Sequence, residues 1–205
     1  MSRLIRTLLL TVAVGVAGAA PAFADTSLLN VSYDVARDFY KDYNPLFQKY
    51  WKAKTGETLE LKQSHAGSSK QVRAVADGLE ADVVTMNQAS DVDFLAEKGL
   101  VAADYAKKFP NNASPYTSTM VFIVRKGNPK AIKDWPDLIK SGVQVILPHP
   151  KNTGNGRNSY LSAWAWALKQ PGGSDRSAQD FLAKLLKNAP LFASGGRDAT
   201  TTFMQ

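Results

Sequence analysis

The sequence contains no cysteine and two histidines, His65 and His149. Disulfide bonds are therefore excluded, and stability has to come from the burial of apolar side chains. Two histidines without cysteines are also too few for most metal sites. We interpret both as loop residues or as residues that support a binding site, and we expect no metal ion and no cofactor.

Long apolar runs are missing except near the start, from Leu8 to Ala20. This run follows two arginines and precedes an Ala-Phe-Ala motif, a pattern typical of a secretory signal peptide cleaved before Asp25. An uncleaved anchor is the alternative, but the run is short for a membrane span. We interpret residues 1–24 as the signal peptide of an exported, soluble protein. Their removal lowers the formal charge from +7 to +5.

The sequence also lacks the motifs of several enzyme classes. No Gly-x-Ser-x-Gly elbow surrounds any serine, which argues against a hydrolase built on Ser68 and His65. The Gly-Lys-Ser/Thr ending of a nucleotide P-loop is absent. Lysine and arginine are spread among acidic residues and do not form a basic cluster with aromatics, so nucleic-acid binding is not indicated.

Strand-like and helix-like segments alternate along residues 28–99. Buried strands are predicted at 28–34, 58–63 and 81–86, each followed by residues at helical spacing. Such alternation implies a parallel sheet with ligands outside the carboxyl ends of its strands, where Asp34 and Ser68 fall. An aromatic stripe along residues 39–51 predicts a core-facing helix, with a break at Asn44-Pro45 and an end at Gly56.

Strands and helices alternate again in the second half, after a polar, turn-forming segment at 110–115. We interpret this segment as a domain crossing. Strands are predicted at 117–124, 143–147 and 191–193. Helices are predicted from Trp135, after the glycine-rich turn at 152–156, from about Ser177 and after Ser194. The mature length of 181 residues allows one domain or two small lobes.

Three of the predicted helices begin at short runs of glycine and hydroxyl residues, at 64–70, 152–156 and 194–196. Free backbone N–H groups at a helix start attract anions, and glycine lets an oxyanion approach the main chain. Each run alone has an alternative explanation as an ordinary helix cap or turn, which for the run at 64–70 is the favoured one. Three helix starts aimed at one point could hold a divalent oxyanion without a paired cation.

These residues make the sequence recognisable, because several motifs occur together and in order between Leu28 and Phe203. They are Leu-Asn-Val-Ser-Tyr-Asp, Gln-Ser-His-x-Gly-Ser, Pro-Tyr-Thr-Ser-Thr, Val-Arg-Lys-Gly-Asn-Pro, Thr-Gly-Asn-Gly-Arg and Ser-Gly-x-Arg-x-Ala-Thr-x-Thr-Phe. The chain resembles the periplasmic sulfate-binding proteins of ABC transporters. The resemblance implies an α/β, two-lobed periplasmic binding protein of type II, each lobe a mostly parallel sheet flanked by helices.

The resemblance also implies a ligand set for a dehydrated sulfate between the lobes. Backbone N–H groups would come from Ser68, Gly154, Asn155 and Gly196, and a hydroxyl would come from Thr153. Asp34 would stand behind the site and orient the donors. His65, Ser69 and Arg197 would support the site, with Arg197 ordering its loop. Asn155 and Gly196 stand where some members have other small residues.

We expect a signal peptide at 1–24, a first lobe at 25–115 and a second at 116–205. A tryptophan donor and the returning segments of the family lie beyond Gln205, so we expect an incomplete C-terminal part, and no sulfate response without it. The implied partner is an inner-membrane ABC permease, and the expected protein is a periplasmic monomer without enzyme activity. The alternatives are another oxyanion, namely thiosulfate, molybdate or phosphate, or less readily a secreted hydrolase.

Overall fold

A computed structural model describes residues 26–205. The signal-peptide interpretation concerns residues 1–24, which lie outside this range. In chain order the elements are β1 (Thr26–Tyr33), α1 (Ala36–Thr55), β2 (Leu59–Ala66), α2 (Ser68–Ala76), β3 (Val83–Thr85), α3 (Ala89–Glu97), α4 (Tyr105–Lys108), α5 (Pro110–Ala113), a 3₁₀ helix (Trp135–Ile139), β4 (Leu147–Pro148), α6 (Gly154–Leu168), α7 (Asp175–Lys187), β5 (Phe192–Ala193) and α8 (Gly196–Met204).

The N-terminal region, residues 26–113, is organised around a three-stranded parallel sheet in the order β2-β1-β3. The first two strands pair along their whole length, from Thr26 opposite Leu59 to Tyr33 opposite Ala66. Their carboxyl ends therefore lie side by side, with Asp34 and Gly67 as the next residues. The predicted parallel sheet is confirmed here, although β3 is shorter than the predicted strand at 81–86.

Helix α1 differs from its prediction in two ways. It runs without a break through Pro45 and ends at Gly56, whose φ of 80° suits glycine. The predicted break was wrong. Pro45 is exposed, so water can hydrate the Lys41 carbonyl that loses its helical partner. The predicted core position of the aromatic stripe was also wrong, because Phe39 is 53% exposed and Leu46 is 67% exposed. The stripe packs along its own helix, with the Phe39 and Tyr43 ring centroids 5.4 Å apart.

The C-terminal region, residues 134–205, has a small parallel sheet and a helix pair. Strands β4 and β5 pair only over Leu147–Phe192 and Pro148–Ala193, so the predicted strand at 143–147 contributes little more than its end. Helix α7 begins two residues before the predicted Ser177, because Ser174 and Ser177 form a capping box around its first turn. The 3₁₀ helix begins at the predicted Trp135, closed by Asp134 and Asp137 in the same way.

The segment between the two regions is not a strand. Residues 117–124 carry an apolar run that predicted one, yet within residues 26–205 they pair with no strand and their larger side chains are exposed. A strand forms only when its N–H and C=O groups find partners on a neighbouring strand. Before this segment, α5 is a left-handed turn with φ of 53° at Asn111 and 55° at Asn112. Asparagine tolerates such angles better than most residues.

Each of the two regions has its own hydrophobic cluster. The N-terminal cluster lies between the sheet and α2 and α3 and contains Val31, Val72, Val75 and Leu95. The C-terminal cluster lies between α6, α7 and the 3₁₀ helix and contains Leu138, Ala163, Ala167, Ala178, Phe181, Leu182 and Leu185. Among the described residues, no helix has the length and apolar character that crossing a membrane would require.

Candidate functional site

Each of three helices follows a strand and begins near the carboxyl end of that strand. Helix α2 begins one residue after β2, α6 follows β4 through the glycine-rich turn, and α8 begins soon after β5. Because β1 and β2 are parallel, and β4 and β5 are parallel, each sheet collects the carboxyl ends of its strands on one edge. Only part of the predicted run at 64–70 forms the helix start. Residues 64–66 belong to β2, and the helix begins at Ser68.

The start of α2 lies against the starts of the other two helices. A Cβ atom placed on Gly67 would lie 2.5 Å from the carbonyl oxygen of Asn152 and 3.2 Å from that of Ser194. These backbone atoms belong to the turns that lead into α6 and α8. Since a backbone carbonyl cannot move aside as a side chain can, glycine is needed at position 67 for the three chain segments to meet.

The remaining glycines of the site make similarly close approaches. A Cβ on Gly154 would collide with the side-chain amide of Asn87, and one on Gly196 would collide with the amide nitrogen of Asn155. A Cβ on Gly195 would lie 2.5 Å from Oδ2 of Asp34. The structure therefore brings the five predicted ligand residues and the orienting Asp34 into one area: Asp34, Ser68, Thr153, Gly154, Asn155 and Gly196.

The three helix starts differ in how their first N–H groups are used. Helix α2 has no side-chain cap, because its N-cap residue is Gly67, and the Ser68 hydroxyl donates to Oδ2 of Asp91 at 2.5 Å. Helix α6 is capped by Thr153, whose buried Oγ1 accepts the N–H of Gly156 at 2.9 Å and donates to the His149 carbonyl at 3.0 Å. The Thr153 hydroxyl proton is thus directed at the main chain in this conformation.

Asp34 closes the start of α8 from the other region. Its Oδ2 accepts the backbone N–H of Arg197 at 3.2 Å, and its Oδ1 lies 3.9 Å from the Arg37 guanidinium. A carboxylate is well placed at a helix start, where the partial charge is positive. Asp34 therefore orients the first turn of α8, while the Arg197 side chain is exposed.

The predicted supporting residues lie close to the same edge. His65 Nδ1 and the Ser32 hydroxyl are hydrogen-bonded at 2.5 Å. Burial and the positive charge of Arg37 lower the pKa of His65, against a smaller opposing effect of Asp34. Ser69 is buried, and among the described residues its hydroxyl has no hydrogen-bond partner. His149 accepts the N–H of Lys151 through Nδ1 at 3.1 Å and so belongs to the turn before α6.

A polar network that we did not predict joins the N-terminal region to α6. The Arg157 guanidinium donates to Oδ1 of Asp91 and to Oε1 of Gln88, both at 2.5 Å. The remaining bonds are Gln88 Nε2 to Asn158 Oδ1 at 2.7 Å, Gln88 Nε2 to the Gly154 carbonyl at 3.2 Å, and Asn87 Nδ2 to Asn155 Oδ1 at 2.8 Å. The available signal was position, since Asn87 and Gln88 follow β3 at the carboxyl edge of the sheet.

The arrangement favours an anion. The starts of α2, α6 and α8 each add part of a positive charge, and the close-approaching glycines expose main-chain N–H groups. Among the described residues, no group of three or more His, Cys, Asp and Glu side chains could hold a metal ion. The donors are main-chain groups and hydroxyls, which suit a ligand made of hydrogen-bond acceptors.

Comparison with known proteins identifies the class. A model of the bacterial extracellular solute-binding protein family matches residues 32–205, and the chain belongs to this family. A thiosulfate-binding protein of Pseudomonas aeruginosa is 60% identical over 206 residues, covering 100% of this chain and 61% of the relative. A sulfate-binding protein of Escherichia coli is 50% identical over 181 residues, covering 88% of this chain and 55% of the relative.

A solved structure shows the same fold. The sulfate-binding protein SubI from Mycobacterium tuberculosis superposes with a TM-score of 0.77 at 31% identity, covering 88% of this chain and 61% of that protein. The α/β class with parallel sheets flanked by helices is therefore confirmed. The chain spans between 55% and 61% of the length of these relatives.

Proposed function

We propose that this chain is part of the sulfate-binding or thiosulfate-binding component of an ABC transporter, a binding protein without enzyme activity. The observation that carries the proposal is the meeting of three helix starts at Gly67, where an added Cβ would lie 2.5 Å from the Asn152 carbonyl oxygen before α6 and 3.2 Å from the Ser194 carbonyl oxygen before α8. Three converging helix starts supply many N–H donors and a summed positive potential, which is what an oxyanion requires. The similarity to sulfate-binding and thiosulfate-binding proteins supports the same ligand class.

The proposed ligands are the backbone N–H groups of Ser68, Gly154, Asn155 and Gly196 and the hydroxyl of Thr153. The absence of a side-chain cap on α2 and α8 supports this, because their first N–H groups are not closed by their own helices. Thr153 would have to turn its proton from the His149 carbonyl toward the ligand. Asp34 fits the orienting role, since it holds the first turn of α8.

We further propose two lobes, at residues 25–115 and 116–205, with the anion between them. The two separate hydrophobic clusters and the two separate sheets support this division. The signal-like residues 1–24 support export to the periplasm, and the extracellular family supports the same location. An inner-membrane permease is the proposed partner, and a monomer is the proposed state.

The donor set also predicts selectivity. Near neutral pH sulfate carries no proton, whereas phosphate carries at least one that needs an acceptor. Burying that O–H among donors costs about 1–3 kcal/mol, which corresponds to about 5-fold to 150-fold discrimination. Asp34 is a carboxylate beside the site, but its Oδ2 already accepts the N–H of Arg197. We therefore expect sulfate and thiosulfate to bind at least about fivefold more tightly than phosphate.

Calorimetry and thermal melts test the proposal. We would compare residues 25–205 with an extended version that is joined to the remaining part of the P. aeruginosa relative. A ligand at one hundred times its dissociation constant stabilises a competent fold by about 2.7 kcal/mol. We expect a clear sulfate-dependent rise in Tm for the extended version and none for residues 25–205. If neither sulfate nor thiosulfate shifts the extended version, the proposed function is wrong.

Two glycine substitutions provide a second test and its control. Gly67→Ala would drive a Cβ into the Asn152 carbonyl and separate the helix starts, so we expect the sulfate affinity of the extended version to fall at least tenfold, equal to about 1.4 kcal/mol. Gly78→Ala has no atom within 4 Å of the added Cβ, although its φ of +110° disfavours alanine. It should lower stability without lowering affinity.

A further inference from the structure

The Asp91 carboxylate connects two of the helix starts that form the proposed anion site. Its Oδ2 accepts the Ser68 hydroxyl on α2, and its Oδ1 accepts the Arg157 guanidinium on α6, both at 2.5 Å. The Asp91 side chain is 5% exposed and that of Arg157 is 30% exposed. Asp91 itself lies in the first turn of α3. One buried carboxylate thus ties α2, α3 and α6 together.

The position of this carboxylate creates an electrostatic problem for an anion site. The Asp91 carboxylate accepts a hydrogen bond from the hydroxyl of Ser68, and the N–H group of the same Ser68 is a proposed ligand. A buried negative charge at this distance repels a dianion strongly, because charges in a protein interior are poorly screened. Arg157 supplies the compensating positive charge three residues after Gly154 on α6.

The hydrogen bonds of Arg157 define its role. Its Nε donates to Gln88 and its Nη2 donates to Asp91, so these donors are directed toward the N-terminal region. Gln88 in turn donates to the Gly154 carbonyl and to Asn158 on α6. The guanidinium therefore links α6 to the start of α3. We refer to Gln88, Asp91 and Arg157 as the clamp.

We propose that Asp91 and Arg157 are positioning residues of the anion site, and that Arg157 cancels the Asp91 charge so that the starts of α2 and α6 accept a dianion. The proposal rests on the proposed function of the site. The clamp fixes Ser68 relative to Gly154, and its neutrality determines how tightly a doubly charged ligand binds. Loss of the Arg157 charge is thus more harmful than loss of the whole pair.

The test is a set of charge variants in whichever form of the protein binds sulfate, measured by calorimetry. Arg157→Met leaves Asp91 uncompensated and should lower sulfate affinity at least thirtyfold. The double variant Asp91→Asn with Arg157→Met removes both charges and should recover to within tenfold of the unchanged protein. A purely structural role of the pair makes the double variant bind no better than Arg157→Met, and that result would overturn the proposal.

Two further variants keep the test decisive if Arg157→Met fails to fold. Arg157→Lys retains the charge and loses the forked geometry, so its sulfate affinity should stay within tenfold of the unchanged protein. A loss as large as that expected for methionine would contradict charge compensation. Arg176→Met is the matched control, because Arg176 pairs with Asp180 on the exposed face of α7 at 3.3 Å. It should leave sulfate affinity unchanged.

Failure of this inference is distinguishable from failure of the proposed function. If neither residues 25–205 nor the extended version binds sulfate or thiosulfate, the proposed function is wrong. The proposed role of Asp91 and Arg157 in dianion binding is then wrong as well. The clamp is then tested by urea unfolding of Asp91→Asn, Arg157→Met and the double variant. We expect the double variant to lose less stability than the two single losses together, and strictly additive losses would show that the residues are not coupled.

Discussion

The two regions of the molecule close their helix starts in different ways. In the C-terminal region, the 3₁₀ helix, α6 and α7 are capped by the side chains of Asp134, Thr153 and Ser174. In the N-terminal region, α1, α2 and α3 have no side-chain cap. Helix α8 also lacks one and receives the Asp34 carboxylate from the N-terminal region. An uncapped start keeps N–H groups available for a partner elsewhere, and two of the three starts proposed to share a ligand, α2 and α8, are of this kind.

The regions also differ in what holds them together. The N-terminal region relies on a sheet whose two longer strands pair over eight residues, with a small cluster of valines and one leucine. The C-terminal region has strands that pair over two residues and relies on apolar burial between α6 and α7. Stability in the C-terminal region should therefore depend more on side-chain packing than on strand pairing.

The largest expected effect comes from truncating each core. Leu185 is 1% exposed in the C-terminal cluster and Leu95 is 0% exposed in the N-terminal cluster. Each change to alanine should cost about 2–5 kcal/mol of unfolding free energy, because it removes transfer free energy and leaves a cavity. Urea unfolding followed by circular dichroism measures both losses.

The double variant sharpens the comparison. Since Leu95 and Leu185 belong to separate clusters, their losses should add within about 0.5 kcal/mol. The exposed Leu161→Ala on α6 is the control and should change stability by less than about 0.5 kcal/mol. A coupling well above this range would show that the two clusters act as one core.

The second prediction concerns the capped and uncapped helix starts. Thr153→Ala and Ser174→Ala should each cost about 0.5–2 kcal/mol, since each removes the acceptor for a first-turn N–H group. Ser69→Ala, at the uncapped start of α2, removes a buried hydroxyl without a partner among the described residues and should cost nothing or stabilise the protein. Thermal melts without added anion measure all three.

The outcome separates capping from anion binding. Thr153→Ser keeps the oxygen that accepts from Gly156 and should retain most of the stability that alanine loses. If Ser69→Ala destabilised the ligand-free protein as much as Thr153→Ala, the contrast between the two helix starts would be wrong.

The smallest expected effect is a pH dependence that differs between the regions. The pKa of His65 in the N-terminal region is lowered from 6.5 by burial and by Arg37. The unfolded chain therefore binds a proton more readily, so stability falls as pH drops below 6.5 toward the lowered pKa. In the C-terminal region, hydrogen bonds from Lys140, Lys133 and Asp134 lower the pKa of Asp137 from 3.8 to about 2. Its contribution is present above 3.8 and is lost only as pH falls toward 2.

Unfolding measured at intervals from pH 7 to pH 2 resolves the two windows. His65→Gln keeps a neutral side chain and should remove the decline just below pH 6.5 while leaving the decline below pH 4. Asp137→Asn should leave the decline just below pH 6.5 and reduce the decline below pH 4, part of which remains because hydrogen bonds from Ser194 also lower the pKa of Asp198. An unchanged decline below pH 6.5 in His65→Gln would assign it to another group.

Much of the candidate site was predictable from the sequence because it is local. Glycine and hydroxyl residues between a strand and a helix predict a helix start, and Ser68, Thr153 and Gly196 lie at such starts. Asp34 was predictable in the same way, since it follows β1 at the carboxyl edge. The clamp of Gln88, Asp91 and Arg157 was not, because its members come from helices 66 to 69 residues apart in sequence.

The errors in the fold have the same origin. The apolar periodicity of α1 and of residues 117–124 predicted buried elements, but periodicity identifies an apolar face and does not identify what covers it. In α1 the aromatic side chains stack along their own helix, and residues 117–124 remain unpaired within the described chain.

The sequence by itself determined the alternation of strands and helices, the glycine-rich helix starts and the family, since short-range spacing and local motifs carry that information. Only the tertiary structure decided that the starts of α2, α6 and α8 meet at Gly67, that Asp34 closes α8, and that Arg157 forms an ion pair with Asp91. The physical reason is that hydrogen bonds and Coulomb interactions depend on distances in space, which the pairing of distant strands and the packing of two separate cores establish.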